Sequence, residues 1–147
     1  MILRSATNKV KTLARQFKGV AIIGPRQSGK TTLSRYCFPE KPYVSLENPE
    51  QRQFALEDPK GFLATYPDGA ILDEIQRVPE LLSWLQQRLD EENRKGTFIL
   101  TGSNNFLLTE KITQTLAGRV AYLDLLPFSQ AELIENDRLS LNDQLFL

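Results

Sequence analysis

Short apolar runs alternate along this chain with longer segments whose apolar residues recur at helical spacing. The apolar runs are residues 20–23, 43–46, 70–72, 97–101 and 120–125. They are short, lack strict alternation with polar residues, and contain β-branched or aromatic side chains. This composition is typical of strands that are covered on both faces, as in a parallel sheet.

Segments with a helical pattern lie between these runs and before the first of them. They are residues 7–17, 31–38, 49–63, 79–92 and 106–116. We expect Pro59 to break the third segment, and Asn104 or Asn105 to cap the last one. Within 79–92 the leucines share one face, and we expect Trp84, beside that face, in the core.

Alternation of strands and helices predicts a doubly wound α/β domain, a three-layer sandwich with helices on both faces of a five-stranded sheet. The 147 residues suit one domain with a substantial core. We find no repeat, linker or low-complexity tract, and therefore assign residues 1–147 to a single domain that begins with a basic helix within residues 1–18.

Composition excludes several classes of function. The chain has one cysteine, Cys37, and no histidine, so neither an internal disulfide, an ordinary zinc site nor Ser-His or Cys-His catalysis is expected. We expect Cys37 to be a small buried hydrophobe. No apolar run approaches the roughly 18 residues that span a bilayer, so no membrane partner is predicted and a cytoplasmic location is the default.

Charge is balanced overall, with a net charge of zero, but it is unevenly distributed. The first acidic residue is Glu40, and only lysines and arginines precede it among the charged residues. This basic first quarter is either a solvated helix surface or a region that attracts a polyanion, such as nucleotide phosphates or a nucleic-acid backbone. Alone, it does not predict nucleic-acid binding.

The segment GPRQSGKT, residues 24–31, combines two glycines, a lysine and a hydroxyl directly after an apolar run. It matches the pattern G-x-x-x-x-G-K-[ST], in which glycines let backbone N–H groups form an anion-binding nest at a helix N-terminus. Lys30 would reach the β- and γ-phosphates, and the Thr31 hydroxyl would bind Mg²⁺. The alternative is a strand–helix turn that holds no ligand. The candidate phosphate-binding residues are Gly24, Pro25, Arg26, Gln27, Ser28, Gly29, Lys30, Thr31 and Thr32.

Two adjacent acids, Asp73 and Glu74, follow the apolar run 70–72. A strand that is buried on both faces has no structural use for carboxylates at its tip. In a phosphate site, Asp73 would hold Mg²⁺, and Glu74 would orient and deprotonate the attacking water. Taken alone, an acidic pair after an apolar run is better explained by a solvated loop; its position one helix and one strand after Lys30 favours the site.

The sequence TGSNN follows the strand at 97–101. If that strand lies between the other two, Ser103 or Asn104 would lie beside the terminal phosphate, where a polar group can hold the water or sense the phosphate. Helix capping is an equally good role for Asn104 or Asn105.

Four segments together, GPRQSGKTTL, ILDEIQRVPELLSWLQ, FILTGSNNFLL and LAGRVAYLDLLPFSQAEL, resemble the prokaryotic AAA+ superfamily of predicted ATPases. The resemblance covers about residues 10–135. It implies a P-loop NTPase fold with a mainly parallel sheet of order 5-1-4-3-2, ATP and Mg²⁺ as ligands, residues 24–31 as Walker A, and Asp73 and Glu74 as Walker B. It also implies that Arg119 is an arginine finger for a neighbouring subunit in a homo-oligomer, although pairing with a surface acid is the usual fate of such a residue.

Such ATPases normally continue into a helical lid and a further C-terminal domain. We expect no lid within these 147 residues, hence loose adenine binding and slow or absent hydrolysis by this chain alone. The sequence therefore predicts the core of an ATPase, with a non-hydrolysing, nucleotide-dependent docking module as the alternative. A small-molecule kinase is less favoured because no arginine-rich clamping segment is visible, and a GTPase because no guanine-reading N-K-x-D follows a strand.

Overall fold

The computed structural model describes residues 4–25, 28–103 and 105–125 of the chain. The helices are α1 Arg4–Gln16, α2 Lys30–Cys37, α3 Pro49–Glu57, α4 Pro59–Ala64, α5 Leu81–Asp90 and α6 Phe106–Thr115, with a 3-10 turn at Ile75–Arg77. The strands are β1 Gly19–Ile23, β2 Tyr43–Ser45, β3 Ala70–Asp73, β4 Phe98–Gly102 and β5 Val120–Asp124.

The strands form one five-stranded sheet of order β2-β3-β4-β1-β5. Each of the four pairings is parallel. The predicted α/β class and the predicted order 5-1-4-3-2 are therefore confirmed. Because β4 lies between β3 and β1, the carboxyl ends of these three strands meet at one edge of the sheet.

Side chains of the interior strand β1 alternate between two cores. In β1, Val20 and Ile22 belong to a cluster with residues of α1 and α2, whereas Ala21 and Ile23 belong to a cluster with residues of α3, α4, α5 and α6. Both faces of the sheet are thus covered, which explains why its strands are apolar without alternation. The architecture is three layers, as predicted.

Two local predictions about helix boundaries are confirmed. The segment 49–63 divides at Asp58 and Pro59, and the Asp58 side chain caps α4 by accepting a hydrogen bond from the Gly61 amide at 3.0 Å. Asn105 caps α6 by accepting from the Leu108 amide at 2.8 Å.

The prediction that Trp84 lies in the core was wrong, because its residue is 38% exposed. At about 100° per residue, Trp84 lies about 115° from the centre of the buried leucine face of α5. Cys37 is buried as predicted, and burial raises the pKa of its thiol.

Within the described ranges, no helix is both long and apolar enough to cross a membrane. The last part of the predicted domain, residues 126–147, lies outside the described residues.

Candidate functional site

The glycine loop begins at the carboxyl end of β1. The Gly24 amide donates to the Gly102 carbonyl at 3.1 Å, which ties the loop to β4. A Cβ at Gly24 would lie 2.5 Å from the Leu125 carbonyl oxygen and 2.9 Å from Ser28 Oγ, so only glycine fits here. The Ser28 amide donates to the Pro25 carbonyl at 3.2 Å and closes the described part of the turn. Arg26 and Gln27, predicted to bind phosphate, lie outside the described residues.

The loop leads directly into α2 through Gly29. Gly29 has φ 86 and ψ 11, a left-handed conformation that glycine adopts without the steric cost of a Cβ. It provides no side-chain cap for α2, so the first amide groups of the helix stay available to an acceptor outside the helix. A helix N-terminus of this kind favours an anion. Thr32, in the first turn, is exposed.

Lys30 lies buried at the start of α2, with 4% of the residue exposed. Its Nζ is 3.8 Å from Glu74 Oε2, and the two side chains are 5% and 14% exposed. A buried ammonium needs an anionic partner. Glu74 supplies one here, and a bound phosphate offers another.

Asp73, at the end of β3, is 5% exposed and accepts three hydroxyl hydrogen bonds. Thr31 Oγ1 donates to Asp73 Oδ1 at 2.9 Å, Thr101 Oγ1 also donates to Oδ1, and the Tyr43 hydroxyl donates to Oδ2 at 2.6 Å. Burial, followed by the hydrogen bond to Asp73, raises the pKa of Tyr43 above its usual range. The paired Thr31 hydroxyl and Asp73 carboxylate are the hard oxygen ligands that fit Mg²⁺.

Glu74 is held in an unusual backbone conformation. Its φ of 62 and ψ of 55 place it in the left-handed region, and among the described residues it is the sole non-glycine residue with positive φ. The Glu74 amide donates to Thr101 Oγ1 at 3.0 Å. This bond fixes the turn that directs the carboxylate toward Lys30.

Gln76 connects Glu74 with Ser103. Gln76 Nε2 donates to Glu74 Oε1 at 2.9 Å and to Ser103 Oγ at 3.0 Å, and Gln76 Oε1 accepts from the Ser103 amide at 3.1 Å. Ser103 is therefore part of the same cluster as Lys30 and Glu74. Asn104, the other predicted phosphate sensor, lies outside the described residues.

Sequence reasoning missed three residues of this cluster: Tyr43, Gln76 and Thr101. Thr101 and Tyr43 carried a usable signal, because each places a hydroxyl at an end of a mostly apolar run. Gln76 lies in the distinctive run DEIQ, but nothing in its spacing showed that its amide turns back to Glu74.

Arg119 lies away from this cluster. It precedes β5, whose Val120 pairs with Gly19 at the amino end of β1, so the length of the sheet, roughly 16 Å for five residues, separates it from the glycine loop. Arg119 Nε donates to Asp90 Oδ1 at 2.5 Å, and this hydrogen bond lowers the pKa of the Asp90 carboxyl. Arg119 thus does not serve the site of its own chain, and its action on a neighbouring subunit stays a prediction.

A glycine loop between a parallel strand and a helix, beside an acidic strand end, defines the class of P-loop NTPase folds. Within this class the chain belongs to the AAA domain family, whose sequence profile matches residues 16–134. The family and the fold support nucleotide binding.

Two curated relatives are uncharacterized proteins of Mycobacterium bovis and Mycobacterium tuberculosis, each 32% identical to this chain over 124 residues. The match covers 83% of this chain but only 28% of each relative. This chain therefore corresponds to less than a third of those proteins.

Solved structures share the fold at low sequence identity. A Walker-type ATPase of Pyrococcus abyssi has a TM-score of 0.60 at 17% identity, covering 98% of this chain and 59% of its own. The P-loop NTPase domain of a sigma-54 transport activator from E. coli has a TM-score of 0.55 at 16% identity, covering 84% and 94%. A STAND protein of Pyrococcus horikoshii has a TM-score of 0.53 at 18% identity, covering 100% and 26%.

Proposed function

We propose that this chain binds Mg²⁺-ATP at residues 24–31 and is the core of an ATPase that hydrolyses it to ADP and phosphate. The observation that carries the proposal is the convergence of two pairs at one sheet edge. Lys30 Nζ lies 3.8 Å from Glu74 Oε2, and Thr31 Oγ1 lies 2.9 Å from Asp73 Oδ1. A phosphate-binding cation, a water-handling carboxylate and two magnesium-type ligands are therefore adjacent.

The phosphate-binding groups come from the glycine loop and α2. The amide groups at the start of α2 point out of the helix, and Lys30 adds a full positive charge next to them. Because Lys30 is buried against Glu74, a bound triphosphate would replace that carboxylate as its partner.

Thr31 and Asp73 would hold the magnesium ion. The ion supplies neutralisation of charge on the phosphate oxygens when it is bound. The hydroxyls of Thr101 and Tyr43 orient the Asp73 carboxylate, so the ligand geometry is set before any ligand arrives.

Glu74 is the proposed base. It would orient the water for attack in line with the leaving group and accept its proton. Its side chain is only 14% exposed, which limits competition from bulk water, and Ser103 Oγ lies on the same network, where it would donate to the terminal phosphate.

The deciding experiment is titration of Mg²⁺ and labelled ATP against Lys30→Ala. We expect this variant to lose detectable binding, because the buried cation is removed from the phosphate position. Lys9→Ala, which removes an exposed cation from α1, is the matched control and should bind as the parent does. Binding that is unchanged in Lys30→Ala would overturn the proposal.

Turnover separates the two functions that the sequence left open. Phosphate release by the parent chain that stops in Glu74→Gln, with binding retained, supports an ATPase. The nucleotide-dependent docking module is favoured if the parent chain binds tightly but releases no phosphate, and if a mixture of its Arg119 and Lys30 variants releases none either.

The mixing experiment also tests Arg119 as a finger acting on a second subunit. A mixture of Lys30→Ala and Arg119→Ala chains should recover turnover that neither has alone, since each supplies what the other lacks. Asp90→Ala is the matched control, because it removes the same ion pair and keeps the arginine.

A further inference from the structure

The side-chain amide of Gln76 has one orientation that satisfies its surroundings. The Ser103 backbone amide can only donate, so the Gln76 atom that faces it at 3.1 Å must be the oxygen Oε1. The two hydrogens on Nε2 then go to Glu74 Oε1 and to Ser103 Oγ, at 2.9 and 3.0 Å. Each polar atom of the amide is engaged, which makes this a fully satisfied network.

This orientation decides the hydrogen-bonding role of Ser103. Its Oγ accepts from Gln76, so its own hydroxyl proton is left to donate to another group. At the carboxyl end of β4, on the edge that also carries the glycine loop, the acceptor that fits is an anionic oxygen of a bound phosphate.

The orientation also decides what remains bonded to Glu74 when a nucleotide binds. Glu74 Oε2 faces Lys30 at 3.8 Å and Oε1 faces Gln76 at 2.9 Å. Once Lys30 turns to a phosphate, Gln76 is the donor that still holds the carboxylate. A mostly buried carboxylate that accepts no hydrogen bond would keep its desolvation penalty uncompensated, and its side chain would be free to change rotamer.

We propose that Gln76 is a positioning residue that links Ser103 to the Glu74 carboxylate, so that a terminal phosphate bound by Ser103 aligns the group that handles the water. The proposal rests on the proposed function of the site. Gln76 itself does not contact the nucleotide. Because it acts through Ser103, its replacement should affect nucleotides that have a terminal phosphate more than those that lack one.

The test compares Kd for Mg²⁺-ATP and Mg²⁺-ADP, together with kcat and KM, in Gln76→Met and Gln76→Glu. Methionine keeps the chain length and removes the amide, and glutamate keeps an acceptor for Ser103 while losing the donor for Glu74. In both we expect kcat to fall about tenfold, with KM changed by less than about threefold. We expect the preference for ATP over ADP to fall about threefold, from loss of one ordered hydrogen bond.

The matched control is Gln53→Glu. Gln53 Nε2 donates to Glu57 Oε2 at 2.8 Å on the exposed face of α3, so the same chemical change breaks the same kind of contact away from the site. It should leave both the nucleotide preference and kcat within about twofold of the parent. A thermal melt of each variant checks that it is folded.

Ser103→Ala supplies an independent arm if a Gln76 variant unfolds. It should lower the ATP preference by a similar factor, and Gln76→Met should add little in that background, since both act through one link. Gln76 variants that keep the parental preference and turnover overturn this proposal alone. Failure of the parent chain to bind either nucleotide overturns the proposed function as well. If the parent chain binds nucleotide without turnover, the ATP-to-ADP preference of the Gln76 variants alone tests the proposal.

Discussion

Replacing Glu74 by glutamine should tighten Mg²⁺-ATP binding while it stops turnover. Glutamine keeps the size of the side chain and an oxygen that can accept from Gln76, but it removes the charge that faces Lys30. Under the proposed function, Lys30 of the parent chain exchanges this carboxylate for a phosphate when the nucleotide binds. In Glu74→Gln that competition is absent, and so is the repulsion between the carboxylate and the terminal phosphate.

The magnitude follows from the separation of the two charges. Unit charges 3.8 Å apart attract by about 4 kcal/mol at an effective dielectric constant of about 20. The amide dipole of the new glutamine and neighbouring donors recover much of this, so we take about one third as the net change. That is about 1.4 kcal/mol, or a Kd for Mg²⁺-ATP lowered about tenfold.

Isothermal titration at fixed Mg²⁺ gives the Kd, and thermal unfolding provides a second readout. Without nucleotide, Glu74→Gln should melt below the parent because buried Lys30 lacks a partner; with saturating nucleotide, its upward shift should be the larger one. Glu47→Gln is the control, because it makes the same change in the ion pair between Glu47 and Arg77, whose side chains are 43% and 47% exposed. It should alter neither the Kd nor the melting temperature appreciably. Weaker nucleotide binding by folded Glu74→Gln would falsify the reasoning.

Two further predictions concern the support of the site. Gly24→Ala should destabilise the fold by about 1–3 kcal/mol in denaturant unfolding, since its Cβ would lie 2.5 Å from the Leu125 carbonyl oxygen; a loss below about 0.5 kcal/mol would show that the loop can shift freely. Tyr43→Phe should lower the free energy of unfolding by about 1–2 kcal/mol at pH 7, because Asp73 Oδ2 loses its hydrogen-bond donor. Because the pKa of Tyr43 is raised on folding, the unfolded chain loses this proton first as pH rises above about 10. The parent should therefore lose stability there more steeply than the variant, and parallel curves would contradict that assignment.

The fold was predictable because its signals are local and agree with one another. Strands such as β1 and β4 are short apolar runs, and Pro59 and Asn105 mark helix boundaries through known backbone chemistry. Strand order came from family resemblance rather than from the pattern itself. The expectation for Trp84 was wrong because apolar character alone does not ensure burial: its angular position on α5 lies outside the leucine face.

The candidate site was predictable where its residues are contiguous in sequence, as in the glycine loop and the acidic pair. Contacts between distant segments were not. Tyr43, Gln76 and Thr101 meet the acidic pair only because β2, β3 and β4 lie side by side, and residue spacing along the chain carries no record of that. The partner of Arg119 belongs to the same kind of contact: pairing with a surface acid was the usual fate expected for it, but that this acid is Asp90 appears only in the folded chain.

At position 74 the residue type that the left-handed backbone favours differs from the residue type that the proposed chemistry needs. On folding grounds alone, φ 62 suits glycine or asparagine better than a longer side chain. Natural homologues that had lost hydrolysis but kept the architecture would therefore be expected to drift toward those residues here. A glutamate retained at this position would record selection for chemistry, so this single site could sort active from inactive members of the family.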